Sequence, residues 1–116
     1  MKAISWNCQG IWPALTVKAL EELKRKYDPY VVFLMEIRNE HEVTDRLRKI
    51  MRYDSKYYVD LEGLNGGLTL WWNKEVEVKV LEAIKNGIDN LVTMENKGNV
   101  SRICWIYDSI DFEERK

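Results

Sequence analysis

The chain has 116 residues, enough for one domain around one core and no more. With 46% hydrophobic and 32% charged residues and two prolines, its composition is that of a folded protein, which excludes disorder as the explanation of any feature. Eighteen Lys and Arg against nineteen Asp and Glu leave a formal net charge of -1, so a global pull toward nucleic acid or an anionic membrane is excluded and any such contact must be local.

From the amino terminus, Lys2 to Trp6 alternates as a strand and meets the polar run Asn7, Cys8, Gln9 and Gly10 at its end. Trp12 and Pro13 make a loop, Thr16 is placed to cap a helix, and Val17 to about Tyr27 carries Val17, Ala19, Leu20 and Leu23 on one face with charges on the other. Asp28-Pro29 stops that helix, since the residue before proline is pushed out of the helical region. Tyr30 to Met35 is a continuous apolar run, as expected of a strand covered on both faces, and it ends on Glu36. His41 to Met51 forms a second amphipathic helix with Val43, Leu47, Ile50 and Met51 inward. Two strand-helix units in succession predict parallel pairing of the first two strands.

After Tyr53 the helical period gives way to short β-rich stretches: Lys56 to Val59, Gly67 to Trp72, Val76 to Ile84, Leu91 to Glu95 and Arg102 to Tyr107. Turn residues at Asn65-Gly66-Gly67, Asn73-Lys74 and Asn96-Lys97-Gly98-Asn99 separate them, so this half is expected to be an antiparallel meander. Gly66 and Gly67 are expected to allow a tight approach to the strand Leu68 to Trp72, where Trp71 and Trp72 point to opposite faces and at most one is core. Cys8 and Cys104 are too few for a zinc site and are expected to be small core residues. Lone His41, between Glu40 and Glu42, is expected to be solvated. No apolar run has the length of a membrane span and no signal-peptide pattern opens the chain. The expected setting is intracellular, nuclear or cytoplasmic, with no membrane and no secretion.

Chemistry is expected where the two parallel strands end, because Asn7 follows one and Glu36 the other. A carboxamide and a carboxylate offer the hard oxygen ligands that Mg²⁺ prefers, with water completing the octahedron. From spacing alone, Glu36 reads equally as a surface carboxylate near a helix start and Asn7 as turn chemistry.

The phrases SWNCQG, DPYVVFLMEIR, LNGGLTLWWNKEVEV, NGIDNLV and ICWIYDS fall in an order that resembles the endonuclease/exonuclease/phosphatase (deoxyribonuclease I-like) family. The chain is most similar to the endonuclease domains of plant LINE-type, non-LTR retrotransposons, which open on Ser-Trp-Asn-Cys-Arg-Gly. The resemblance spans residues 1–116 and implies an α/β fold: the amino-terminal half of a four-layer α/β/β/α sandwich, with two helices on a mixed sheet and an antiparallel meander. It implies that Glu36 is the direct ligand of Mg²⁺ or Mn²⁺, that Asn7 is an active-site residue beside that metal, and that Tyr107 lies near the scissile phosphate. Gln9 stands where the relatives carry arginine, which removes one charge from a phosphate site.

The family's Gly-Asp-x-Asn segment, which orients the attacking water, and its Ser-Asp-His segment, which supplies the catalytic histidine and its partner, have no match here. The resemblance therefore implies a metal-dependent phosphodiesterase half-domain that is inactive alone and meets DNA once the missing half completes it. The alternative is a non-catalytic interaction module. Half a sandwich is expected to present one sheet face to solvent, leaving the chain weakly stable, self-associated, or paired with a complementary chain through that face.

Overall fold

A computed structural model gives the fold, and it describes residues 2–8, 14–35, 37, 41–59, 67–84, 87–94 and 98–106. In chain order the elements are β1 (Ala3–Asn7), α1 (Ala14–Tyr27), β2 (Val31–Met35), α2 (His41–Ile50), β3 (Ser55–Val59), β4 (Leu68–Trp72), β5 (Val76–Ile84), β6 (Gly87–Met94) and β7 (Val100–Ile106). They make two sheets, one ordered β1-β2-β4-β3 and one ordered β5-β6-β7.

The crossover through α1 pairs β1 and β2 in parallel, as their succession predicts, with Ala3 beside Val31 and Asn7 beside Met35. The helix starts at Ala14, so Thr16 lies within it rather than capping it; Ala14 and Leu15 are stronger helix formers than Thr. It ends where expected. Asp28 takes φ 44° and returns its N–H to the Lys24 carbonyl at 2.8 Å before Pro29 turns the chain toward β2.

The expected single meander is instead divided between the sheets. β4 runs antiparallel to β2 on one side and to β3 on the other, completing the first sheet, while β5, β6 and β7 form a separate antiparallel sheet. The reason lies in side-chain patterning. Leu68, Thr69, Leu70 and Trp71 are all buried, which requires cover on both faces, whereas β5 alternates Glu77 and Lys79 outward with Val76, Val78 and Val80 inward.

Two cores result. On one face of the first sheet, Leu20 of α1 and Leu47 of α2 pack with Val32, Leu34, Met51, Tyr53 and Trp71. On the other face, Val31, Phe33, Leu68 and Leu70 meet Val76, Ile88, Val92 and Trp105 of the second sheet. Each fully buried leucine here contributes about 1.5–3 kcal/mol. The two tryptophans point to opposite faces as expected: Trp71 is buried in the core under the helices, and Trp72 is half-buried against the inter-sheet cluster. The described layers are thus α/β/β, and the second sheet covers the first except at edge strand β1, where Ala3 and Ser5 are exposed. It is the outer face of the second sheet that carries exposed Val100 and Ile106, with no helix over it among the described residues.

Three further expectations are corrected. Cys8 is buried, but Cys104 is exposed, since it shares strand parity with Arg102 on that outer face. α2 is rotated from the expected face, leaving Ile50 58% exposed while Thr44 and Arg48 go inside. β6 begins at Gly87, four residues before the expected Leu91, because Asp89 is held by Arg102 and Asn90 is buried.

Candidate functional site

Asn7 is the last residue of β1 and stands opposite Met35, the last residue of β2. The register continues one step further. Cys8 donates its N–H to the Met35 carbonyl at 2.8 Å, and Cys8 itself is buried against the helix-side core. By alternation Asn7 shares the face of Ala3 and Ser5, turned from the helices toward the second sheet, and its side chain is half-buried. The carboxyl ends of both parallel strands therefore lie together at one end of the sheet, where open α/β sheets place ligands.

Glu36 follows Met35 and Tyr107 follows Ile106, and both lie outside the described residues, as does Gln9. What is described is the anchoring of Glu36's two chain neighbours. Met35 is fixed by Cys8, and Ile37, which is buried, donates its N–H to the Gly67 carbonyl at 3.3 Å. Gly67 adopts φ +91°, and a Cβ there would lie 3.2 Å from the Val59 carbonyl oxygen. At this φ an L side chain is strained, and its Cβ would press on the backbone of β3.

Among the described residues no group of three or more His, Cys, Asp and Glu could hold a metal. The donor that the structure describes at the strand ends is the Asn7 carboxamide, a hard oxygen ligand of the kind Mg²⁺ or Mn²⁺ accepts, and one such donor does not by itself make a metal site.

His41 opens α2 and packs against Tyr58 of β3, with the rings tilted by 46° and their centroids 4.9 Å apart. In the order β1-β2-β4-β3, Tyr58 is three strands from Asn7, or about 14 Å at ordinary strand spacing. The imidazole belongs to that far edge. There Asp45 gathers Arg48 at 2.8 Å, Lys56 at 2.7 Å and the Tyr58 hydroxyl at 3.2 Å, tying α2 to β3. The hydrogen bond from Arg48 holds the Asp45 carboxyl well below the usual carboxylate range, against an opposing push from burial. Burial pushes the Tyr58 phenol up to about 12.

Neither a family model nor any curated protein matches this sequence. Among solved structures, the chain is similar to the crystal structure of the AP endonuclease LMAP from Leishmania major, with a TM-score of 0.61 at 16% identity. The two share a fold. The match covers 98% of this chain and 42% of the other, so the chain spans less than half the length of that neighbour. At this identity the likeness is one of architecture: a mixed four-stranded sheet, two helices and an antiparallel sheet, as in part of a deoxyribonuclease I-like sandwich.

Two features escaped the sequence. Periodicity assigned Arg48 to the solvent face, although an Asp three residues earlier on the same helix was a readable partner. Asn90 carried no signal: its side chain is fully buried between the sheets, and among the described residues neither atom of its amide finds a partner.

Proposed function

We propose that this chain is the amino-terminal half of a metal-dependent phosphodiesterase of the endonuclease/exonuclease/phosphatase type, derived from a plant LINE-type retrotransposon. The observation that carries this reading is the register of Asn7 with Met35 at the carboxyl ends of two parallel strands, in a fold shared with an AP endonuclease. Glu36 holds the divalent cation, Mg²⁺ or Mn²⁺, and Asn7 orients ligands beside it. When bound, such an ion supplies a Lewis acid that polarises a phosphodiester and steadies the leaving oxygen. The Tyr107 hydroxyl donates to a phosphate oxygen, and neutral Gln9 weakens backbone contact relative to arginine.

No residue assigned to this site is a general base, and His41 packs against Tyr58 at the far edge of the sheet. General acid-base help is worth about 10²–10⁴ in rate, so this chain alone binds metal but cuts DNA slowly or not at all. DNA becomes a substrate when the remainder of such a sandwich is supplied, within a nuclear or cytoplasmic setting. No described helix is long and apolar enough to cross a membrane. A supercoiled-plasmid nicking assay with Mn²⁺ tests the site: any nicking by the chain must vanish in Glu36→Gln, and nicking that survives the substitution refutes the assignment.

A second reading, a non-catalytic module that pairs with a copy of itself or a complementary chain, is favoured by one flank of the sandwich. Phe33 of β2 stacks on Trp105 of β7 at 5.5 Å, so the second sheet ends opposite β2 and leaves Ala3 and Ser5 of edge strand β1 exposed. Val100 and Ile106 on β7, the second sheet's edge strand, are exposed on that sheet's outer face. Trp71 and Trp72 serve the cores and do not form this surface. Light scattering discriminates: concentration-dependent association reduced by Ile106→Lys supports pairing, and a monomer at all concentrations opposes it.

A further inference from the structure

We infer that the open edge of β1 is a strand-addition surface whose occupant is the β1 edge of a second copy of this chain, the two strands running antiparallel about a two-fold axis at Ser5. It rests on the second reading, that the chain pairs, and gives that pairing a surface and a partner. Four strands end the two sheets, and three of them carry features that protect against such pairing. β3 carries Lys56, β7 carries Arg102, and β5 carries Glu77, Lys79 and Glu82 with a register break between Val80 and Glu82. β1 reads Ala-Ile-Ser-Trp-Asn, without a charge, a proline or a break in its register with β2.

The hydrogen bonds at the two ends of β1 fix which residues face that edge. Tyr30 donates its N–H to the Lys2 carbonyl and Cys8 donates its N–H to the Met35 carbonyl, each at 2.8 Å, so the even-numbered residues direct their backbone groups at β2. Ala3 and Ser5, one residue out of phase, direct theirs to the open side, where no described strand pairs with them. Their side chains are exposed as well. An antiparallel copy centred on Ser5 overlaps the whole of β1: Ser5 exchanges both of its backbone hydrogen bonds with Ser5 of the copy, and Ile4 and Trp6 stand opposite the copy's Trp6 and Ile4.

The neighbouring surface also fits a copy of itself. One side of α1 turns Leu20 and Lys24 toward Trp71 and Tyr53, and its other side borders an open groove along β1 lined by Trp6, Ala19, Leu23 and Tyr27, with Glu22 and Lys26 on the same helix face. Trp6, Ala19 and Leu23 are half-buried and Tyr27 is 40% exposed, so a second copy removes apolar surface from water here. The two charges of the groove are of opposite sign and the whole chain carries only -1, so like faces meet without net repulsion. A two-fold contact uses the same patch on both copies and closes at the dimer, which consumes both β1 edges and leaves the charged edges β3, β5 and β7 outside. Two five-residue strands and one helix face from each copy make a small interface, of the kind whose dissociation constant is on the order of micromolar.

The test is light scattering of the full chain across the micromolar range, with thermal unfolding of each variant alongside. Wild type is expected to pass from monomer to dimer as concentration rises. Ser5→Lys and Ser5→Glu change an exposed side chain and place like charges opposite each other on the axis, so each is expected to weaken the dimer by about tenfold. An equimolar mixture of the two pairs opposite charges instead and is expected to restore the dimer to within about threefold of wild type. A wild-type monomer at every concentration overturns the pairing reading and this surface with it. With pairing intact, a dimer that Ser5→Lys leaves undiminished, oligomers that keep growing beyond two copies, or a mixture as weak as either variant alone overturns the β1 edge as the contact. Loss of the dimer in Ile106→Lys without loss in Ser5→Lys overturns it as well, by moving the pairing to β7.

Discussion

Asp45→Asn isolates the charge network that clamps α2 onto the first sheet. The carboxylate accepts from Arg48 Nε at 2.8 Å and Lys56 Nζ at 2.7 Å, with Lys49 farther away at 3.6 Å. These contacts are unequal. Arg48 is sheltered at 10% side-chain exposure, while Lys56 at 43% and Lys49 at 69% are largely screened by water. Arg48 also donates Nη1 to the Tyr53 carbonyl at 2.6 Å, so the substitution would not strand its guanidinium. A charge-assisted hydrogen bond contributes about 1.5–3 kcal/mol when well shielded; the retained asparagine oxygen and the nearby solvent reduce the expected loss to about 1–2 kcal/mol at neutral pH.

The pH dependence identifies the cause of that loss. The folded-state acidity of Asp45 lies below its ordinary value of 3.8, chiefly through the Arg48 hydrogen bond, so its stabilisation is complete above about pH 4–5 and is lost as pH falls toward the lowered folded value. Urea unfolding at pH 7, 4 and 3 should show the gap between wild type and Asp45→Asn widest at pH 7 and narrowing below pH 4. A gap that stays constant over that range would refute an electrostatic clamp and leave only a packing effect.

Asn90→Leu should raise stability by about 1–2 kcal/mol, because it replaces a fully buried amide without a partner by an apolar side chain of similar volume; denaturant titration showing destabilisation would mean the amide is bonded. Alkaline pH should destabilise the chain. Burial raises the Tyr58 phenol from 10.0 to about 12 and pushes Tyr53 up as well, so their stabilising contribution is present below pH 10 and lost above it. Unfolding curves at pH 9 and 11.5 should diverge less for Tyr58→Phe than for wild type, and an equal pH response in both proteins would contradict the shift.

Much of the fold was legible because its signals are local. The run VVFLM in β2 announced a strand covered twice, and the helix before Asp28-Pro29 announced the parallel crossover. The division of the later strands was legible in principle: LTLWW of β4 is apolar but for Thr69, and β5 alternates, which separates a sheet interior from a half-exposed face. Turn residues alone cannot make that distinction, since the same glycines and asparagines close a hairpin and lead to another sheet. The rotation of α2 was hidden because hydropathy scores Arg48 as a solvent residue, and only its bonds to Asp45 and the Tyr53 carbonyl make burial tolerable. At the site, Asn7 was legible as the polar residue that ends an apolar strand. The demands on Gly67 were legible only as turn propensity, because the close Val59 oxygen, on the preceding strand β3, is set by the pairing of β3 with β4.

The most direct measurement is a Mn²⁺ titration followed by paramagnetic broadening of the chain's amide NMR signals. If the cation sits at the carboxyl ends of β1 and β2, the Asn7 side-chain amide and the Cys8 backbone amide broaden first, and Glu36→Gln abolishes that selectivity. Broadening centred instead on Asp45 or Asp89, or a pattern unchanged by Glu36→Gln, would contradict a metal site at the end of these two strands.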